Sequence, residues 1–246
     1  MFTIRCLDRQ FTNIRAVIFD KDGTLENSSD YLYQLAQHRA TAVDNYIPGI
    51  GKLLLLAYGV KNHQLDTAGL MCVGSRNENA VAAAVYIAAT GRGWIEAKNM
   101  VEAAFTEADQ MVPNDLPGQM LPGSRELIDR LFQAGLPLGI LSNAPSHDVR
   151  NFVQHHQLQP YLKLQMGADG SITKPNPILF LQACEQMGVE PAHTLMIGDS
   201  AGDIEMAHRA GAAGCIAVDW GIKAPHLAGA DVVVSDLQAV QLFFLD

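Results

Sequence analysis

The chain of 246 residues carries 17 Lys plus Arg against 26 Asp plus Glu, a formal charge of −9, and 48% of it is apolar. These proportions describe a globular protein with enough chain for a large core divided between two domains, and they exclude a disordered tail, a collagen-like rod and a small disulfide scaffold. The acidic balance lacks the general basic footprint that binds nucleic acid or anionic lipid, so neither is an expected partner.

In chain order, residues 1–10 mix Arg5, Asp8 and Arg9 with apolar residues and hold no signal-peptide core. The first predicted strand is Ala16-Val17-Ile18-Phe19, ending at Asp20. Residues 27–116 differ from the rest: they lack β-branched runs of strand length and favour helices over 31–46, 49–58, 78–89 and 95–109. Their apolar runs at 53–58 and 81–89 fall well short of the ~20 residues that span a bilayer. Pro and Gly clusters at 113–118 and 122–123 mark the end of this insertion.

From residue 121 onward strand and helix alternate. A helix capped by Ser124, running to about Ala134 and stopped by Gly135-Leu136-Pro137, precedes the strand Leu138-Gly139-Ile140-Leu141, which ends at Ser142. A shorter apolar run covers 162–166, and a helix over 177–187 ends at Gly188. Thr194-Leu195-Met196-Ile197 ends at Gly198-Asp199, a helix over 203–210 ends at Gly211, and two more runs cover 215–218 and 231–234. Short unalternating apolar runs suit strands covered on both faces, and their alternation with helices predicts βαβ units. The expected fold is therefore α/β: a Rossmann-like parallel sheet core made of residues 1–26 and 117–246, interrupted by a helical cap domain over 27–116.

Cys6, Cys72, Cys184 and Cys215 form no C-x-x-C pair and read as small apolar residues of a reducing compartment, which with the absence of a leader makes cytoplasmic the expected location. The histidines have no ligand spacing, and Trp94 and Met100 are expected in the core of the cap.

Reactive residues of open parallel sheets lie at the carboxyl ends of strands. There the sequence puts Asp20 and Asp22, Ser142 and Asn143, and Asp199 and Asp203, with Lys174 joining from the loop before the 177–187 helix. Carboxylates forced together repel unless a cation is present, and oxygen-rich sites suit Mg²⁺, which commonly bridges to phosphate oxygens. Metal-assisted chemistry on a phosphate is the expectation.

Asp20-Lys21-Asp22-Gly23-Thr24-Leu25 resembles the D-x-D-G-T-[LV] signature of the haloacid dehalogenase-like hydrolase superfamily. Ser142, Lys174 and the run from Gly198 to Asp203 match its later motifs in order, and the helical insertion is similar to its cap of the first type. The resemblance implies roles. Asp20 would be the nucleophile that forms an aspartyl-phosphate, and Asp22 the acid and then the base. Ser142 and Asn143 would bind phosphoryl oxygens, and Lys174 would offset charge on nucleophile and phosphate. Asp20, Asp199 and the carbonyl of Asp22 would hold Mg²⁺. Thr24 is the supporting residue usual in phosphatases. Asp203 would orient Lys174 or a metal-bound water.

Asp22 argues against a dehalogenase, which lacks a carboxylate at that position, and against the phosphonate-cleaving relatives, for which Lys61 would be the cap lysine. In the cap, Arg76 is the candidate for an anionic substrate group; Lys52 and Lys61 are ambiguous. The resulting expectation is a Mg²⁺-dependent phosphatase acting on a small phosphorylated metabolite, similar to the phosphoglycolate phosphatase subgroup, as monomer or homodimer. A phosphosugar mutase and a non-catalytic, protein-binding relative are the alternatives. The cap is expected to move on linkers near 26–29 and 113–118.

Overall fold

The structure, a computed structural model, describes residues 2–112, 117–170, 172–222 and 224–244. The chain divides into two compact units, one made of residues 1–27 with 117–246 and the other of residues 28–116. Most of the expected second linker, at 113–116, lies outside the described residues.

The chain opens with β1 (Phe2–Cys6), β2 (Arg9–Ile14) and β3 (Ala16–Phe19). The helical unit then contributes α1 (Ser29–Tyr46), α2 (Gly51–Ala57), the two-residue strands β4 (Val60–Lys61) and β5 (Gln64–Leu65), α3 (Leu70–Val73), α4 (Arg76–Ala88) and α5 (Trp94–Met111). On return come α6 (Ser124–Gln133), β6 (Leu138–Leu141), α7 (Ser146–His155), β7 (Leu164–Met166) and α8 (Pro177–Met187). The chain ends with β8 (Thr194–Gly198), α9 (Ala201–Arg209), β9 (Gly214–Val218), β10 (Val232–Val234) and β11 (Val240–Phe244).

Six strands form one sheet in the order β10-β9-β8-β3-β6-β7, and every pairing in it is parallel. The apolar runs do not alternate because both faces are covered. Val17, Phe19, Leu138, Ile140 and Ile197 pack with Leu127, Ile128 and Phe152 of α6 and α7, whereas Ala16, Ile18, Leu141 and Met196 pack with Phe180, Met187 and Met206 of α8 and α9. Gly139 has a steric reason to be glycine: a Cβ there would stand 2.9 Å from Met187 Sδ.

The helix ends follow the local chemistry. Asn176 Oδ1 accepts from Ile178 N–H at 3.0 Å before Pro177 opens α8, and Gly188 closes it in the left-handed region. Ser200 caps α9, with Asp203 reaching back to the Ser200 N–H.

Sequence reading missed a second sheet, the antiparallel order β11-β1-β2. Its inward residues Ile4, Cys6, Phe11, Ile14 and Val240 belong to the core on the α6/α7 side. The tight hairpin between β1 and β2 carries Leu7 at φ 55, without the Gly or Asn that usually announces such a turn.

Within the helical unit, α1 and α4 both pack on α5 around Leu35, Val43, Leu54, Tyr58, Ile87, Val101 and Phe105. Trp94 departs from expectation. It begins α5 and is 45% exposed, whereas Met100, nearly two turns further on, packs partly buried against the core. No described helix is long and apolar enough to cross a membrane.

Candidate active site

The switch in connection direction falls at β3, with β8 on one side and β6 on the other. Chain leaving these three strands therefore meets in one crevice at their carboxyl ends. In the parallel register Phe19 lies beside Ile197, and the Asp20 N–H donates to the Ile197 carbonyl at 2.8 Å, fixing the residue that follows β3.

Lys174 is the cation of this crevice. Only 6% exposed, its Nζ contacts Asp20 Oδ1 and lies 2.7 Å from Asp203 Oδ1. Its backbone N–H donates to Asn143 Oδ1 at 2.8 Å, so Asn143 orients the lysine loop. Asp203 is held from its other side by Ser200 Oγ, 2.6 Å from Oδ2. One carboxylate thus caps α9 and steers Lys174.

Asp199 accepts from Thr24 Oγ1 at 3.1 Å. It is also pressed against Gly23, where a Cβ would fall 2.0 Å from Asp199 Oδ2 on a backbone at φ +78. The Gly23 carbonyl is tied down in turn by Trp220 Nε1 at 2.7 Å. Gly23→Ala is expected to push the Asp199 carboxylate aside and strain the loop by about 1–3 kcal/mol. Denaturant unfolding checks the stability, and a smaller change in Tm on adding a divalent cation than in the wild type checks the displacement; wild-type values for both would contradict it.

Oxygens of Asp20, Asp199 and Asp203 lie within 4.8 Å of one another. Burial pushes the Asp20 carboxyl up to about 7; the neighbouring charges of Asp203 and Asp22 add to this, and Lys174 opposes it. Asp199 is also raised, first by burial and then by Asp20 and Asp203. Burial works against the Lys174 charge, but Asp20 and Asp203 outweigh it and hold the ammonium above its ordinary range. Three carboxylates face one ammonium, a surplus of negative charge that a divalent cation fits.

Asp22 stands beside this cluster. Its Oδ2 is 3.4 Å from Ser142 Oγ, and that oxygen accepts from the Ala144 N–H at 3.0 Å. Its Oδ1 is 2.5 Å from Lys21 Nζ, which also lies 2.6 Å from Glu26 Oε2. Sequence reading passed over Lys21, Glu26 and Trp220. A lysine and a glutamate in a loop read as solvated charges, and only the fold buries these two to 2% exposure.

Asp20, Asp22, Thr24, Ser142, Asn143, Lys174, Asp199 and Asp203 therefore share one crevice of one unit. Arg76 belongs to the helical unit, where its guanidinium is 2.9 Å from Asp109 Oδ2 and forms a two-pronged pair with Glu102 at 3.0 and 3.1 Å. Lys52 and Lys61 are exposed in the same unit.

The haloacid dehalogenase-like hydrolase model matches residues 14–211. The phosphoglycolate phosphatase of Vibrio vulnificus strain CMCP6 is 29% identical over 203 residues, 81% of this chain and 82% of its own. That of Chromobacterium violaceum is 27% identical over 228 residues, 92% of this chain and 94% of its own. Among solved structures, a protein described as a predicted phosphoglycolate phosphatase from Haemophilus somnus superposes with a TM-score of 0.68 at 20% identity, covering 92% of this chain and 95% of its own. A hydrolase from Pseudomonas syringae gives 0.62 at 24% identity, covering 90% and 94%. The match runs through the two strands that deliver the carboxylates, through β6, which delivers Ser142 and Asn143, and through the lysine loop, and the chain belongs to the haloacid dehalogenase-like hydrolase family.

Proposed function

We propose that the chain is a Mg²⁺-dependent phosphatase that hydrolyses a small phosphomonoester, phosphoglycolate-like or a sugar phosphate, through a phosphorylated Asp20. The observation that carries this reading is the buried Asp20 carboxylate held against Lys174 beside Asp199 and Asp203, with a second carboxylate, Asp22, two residues on. The phosphoglycolate phosphatase relatives support it.

Asp20 attacks the phosphorus, and the ester P–O bond breaks. Asp22 gives its proton to the departing alkoxide. A water then attacks the phosphorus of the aspartyl-phosphate, Asp22 takes its proton back from that water, and inorganic phosphate leaves with the Asp20 carboxylate restored. Ser142 and Lys174 bind phosphoryl oxygens, and Lys174 offsets the charge that would otherwise keep an anion from the crevice. Asp203 keeps Lys174 aimed. Asp20, Asp199 and the Asp22 carbonyl would hold Mg²⁺, which when bound neutralises charge on the transferring phosphoryl group. The chain's cap arginine, Arg76, serves the helical unit through Glu102 and Asp109, and a substrate contact from it would require those pairs to open.

The test is phosphate release from a panel of small phosphomonoesters, phosphoglycolate and sugar phosphates included, with Mg²⁺ or with EDTA. Release that needs Mg²⁺ is the expected result. A folded protein that releases none, or releases it equally in EDTA, would overturn the reading, and return of phosphate to another sugar hydroxyl would make it a mutase.

A further inference from the structure

We propose that Lys21 is a positioning residue for Asp22. It holds one carboxylate oxygen so that the other is the only one that can carry the proton exchanged with the leaving group. The proposal rests on the reading of Asp22 as acid and base.

The geometry begins with burial. Lys21 is 2% exposed, and its ammonium sits between Asp22 Oδ1 at 2.5 Å and Glu26 Oε2 at 2.6 Å. It also lies 5.8 Å from the centroid of the Phe152 ring. A buried ammonium carries a desolvation cost that an apolar side chain packed on Phe152 would not, so stability is a poor reason for a lysine here. What the charge supplies is direction. An ionised carboxylate has two equivalent oxygens, and a charge-assisted bond to one of them leaves the other as the site for a proton. With Oδ1 committed to Lys21, that site is Oδ2, the oxygen that faces Ser142 at 3.4 Å.

Glu26 keeps the lysine aimed. Its second oxygen, Oε1, accepts from the Gly118 N–H at 2.5 Å, so neither oxygen is left without a donor. Gly118 approaches so closely that a Cβ there would fall 2.1 Å from the Asn27 carbonyl. On its other side the Gly118 carbonyl meets His156 Nε2 at 2.9 Å. The segment leaving the core unit at 26–27 and the segment re-entering it at 118–120 are thus bound to each other, and through Glu26 and Lys21 to Asp22. The loop itself is closed by the Lys21 carbonyl, which accepts from the N–H groups of Leu25 and Glu26, both at 2.9 Å. Lys21 and Asp22 therefore turn as one rigid piece.

The test uses the leaving group. A poor alkoxide leaving group needs a correctly placed proton, whereas p-nitrophenolate departs without one. We would measure kcat/KM for the best alkyl phosphomonoester of the panel and for p-nitrophenyl phosphate, in wild type, Lys21→Met, Lys21→Met/Glu26→Gln and Asp22→Asn. The double variant leaves no buried charge of this pair unpaired, so it keeps the measurement possible if Lys21→Met alone unfolds. Both Lys21 variants should lose on the order of 10²-fold on the alkyl ester, the cost of a misplaced catalytic group, and stay within about threefold on p-nitrophenyl phosphate. Asp22→Asn should show the same selectivity. Equal losses on both substrates in the Lys21 variants, or no loss on either, would overturn the positioning role while a selective Asp22→Asn left the acid intact. A non-selective Asp22→Asn would overturn the acid assignment itself, and the positioning role with it.

Discussion

Asp20→Asn is expected to remove turnover, by on the order of 10⁴-fold or more, without unfolding the protein. The amide keeps the shape and the backbone bond to Ile197, but an amide oxygen is a poor nucleophile toward phosphorus. Lys174 keeps Asp203 as its partner, so no buried ammonium is stranded. The stability side has a definite sign. The Asp20 carboxyl is raised to about 7 in the folded protein, chiefly by burial, from its ordinary value of 3.8. The folded state therefore holds the Asp20 proton more tightly than the unfolded chain does. Stability contributed by this group is fully present below pH 4 and is lost as pH rises from there through about 7. The variant lacks that loss. In EDTA at pH 8 its Tm should equal or exceed that of wild type, and the fall in wild-type Tm between pH 5 and 8 should be shallower in the variant. Mg²⁺ should raise the wild-type Tm more than the variant's. A variant that keeps activity would end the assignment of Asp20 as nucleophile, and one that loses Tm steeply at pH 8 would end the electrostatic account.

Lys174→Met is expected to be the most destabilising change in the crevice. Lys174 is almost fully buried and touches both Asp20 and Asp203. Removing it leaves those carboxylates with Asp199 in a low-dielectric pocket and no ammonium among them, the situation that typically costs about 3–5 kcal/mol. Methionine fills most of the volume, so the loss reports charge rather than a cavity. Because the damage is surplus negative charge, millimolar Mg²⁺ should recover part of the Tm, whereas the same ionic strength of NaCl should recover little from so buried a site. Activity should fall with it. Thermal unfolding in the three buffers checks this, and a Tm within about 2 °C of wild type in EDTA would refute it.

Much of the crevice was legible because it is local. Asp20, Asp22 and Thr24 lie within one hexapeptide, Asp199 and Asp203 within one strand-to-helix turn, and Ser142 directly after an apolar run. A lone Lys174 in a Pro-rich loop had only its order along the chain to mark it. Lys21 and Glu26 had less: each is a common loop residue, and the donor that holds the second oxygen of Glu26, the Gly118 N–H, is more than ninety residues away along the chain. Arg76 is a candidate for an anion because the break in the helices at 74–78 could hang it over the crevice, but its partners Glu102 and Asp109 come from a different helix.

The sequence by itself determined that the core strands are buried on both faces, that helices alternate with them, that a helical insertion follows the first core strand, and that carboxylates stand at strand ends. Each of these is a property of short windows, set by hydrophobic period, caps and turn residues. The tertiary structure alone decided the order β10-β9-β8-β3-β6-β7, the second sheet that closes one face, and the burial of Lys21 between Asp22 and Glu26. Strand order depends on segments far apart in the chain meeting where each satisfies the other's hydrogen bonds, and no local window contains both partners; Lys21 has its charge partners within five residues, but their burial depends on Gly118 and Phe152, which reach them from far along the chain.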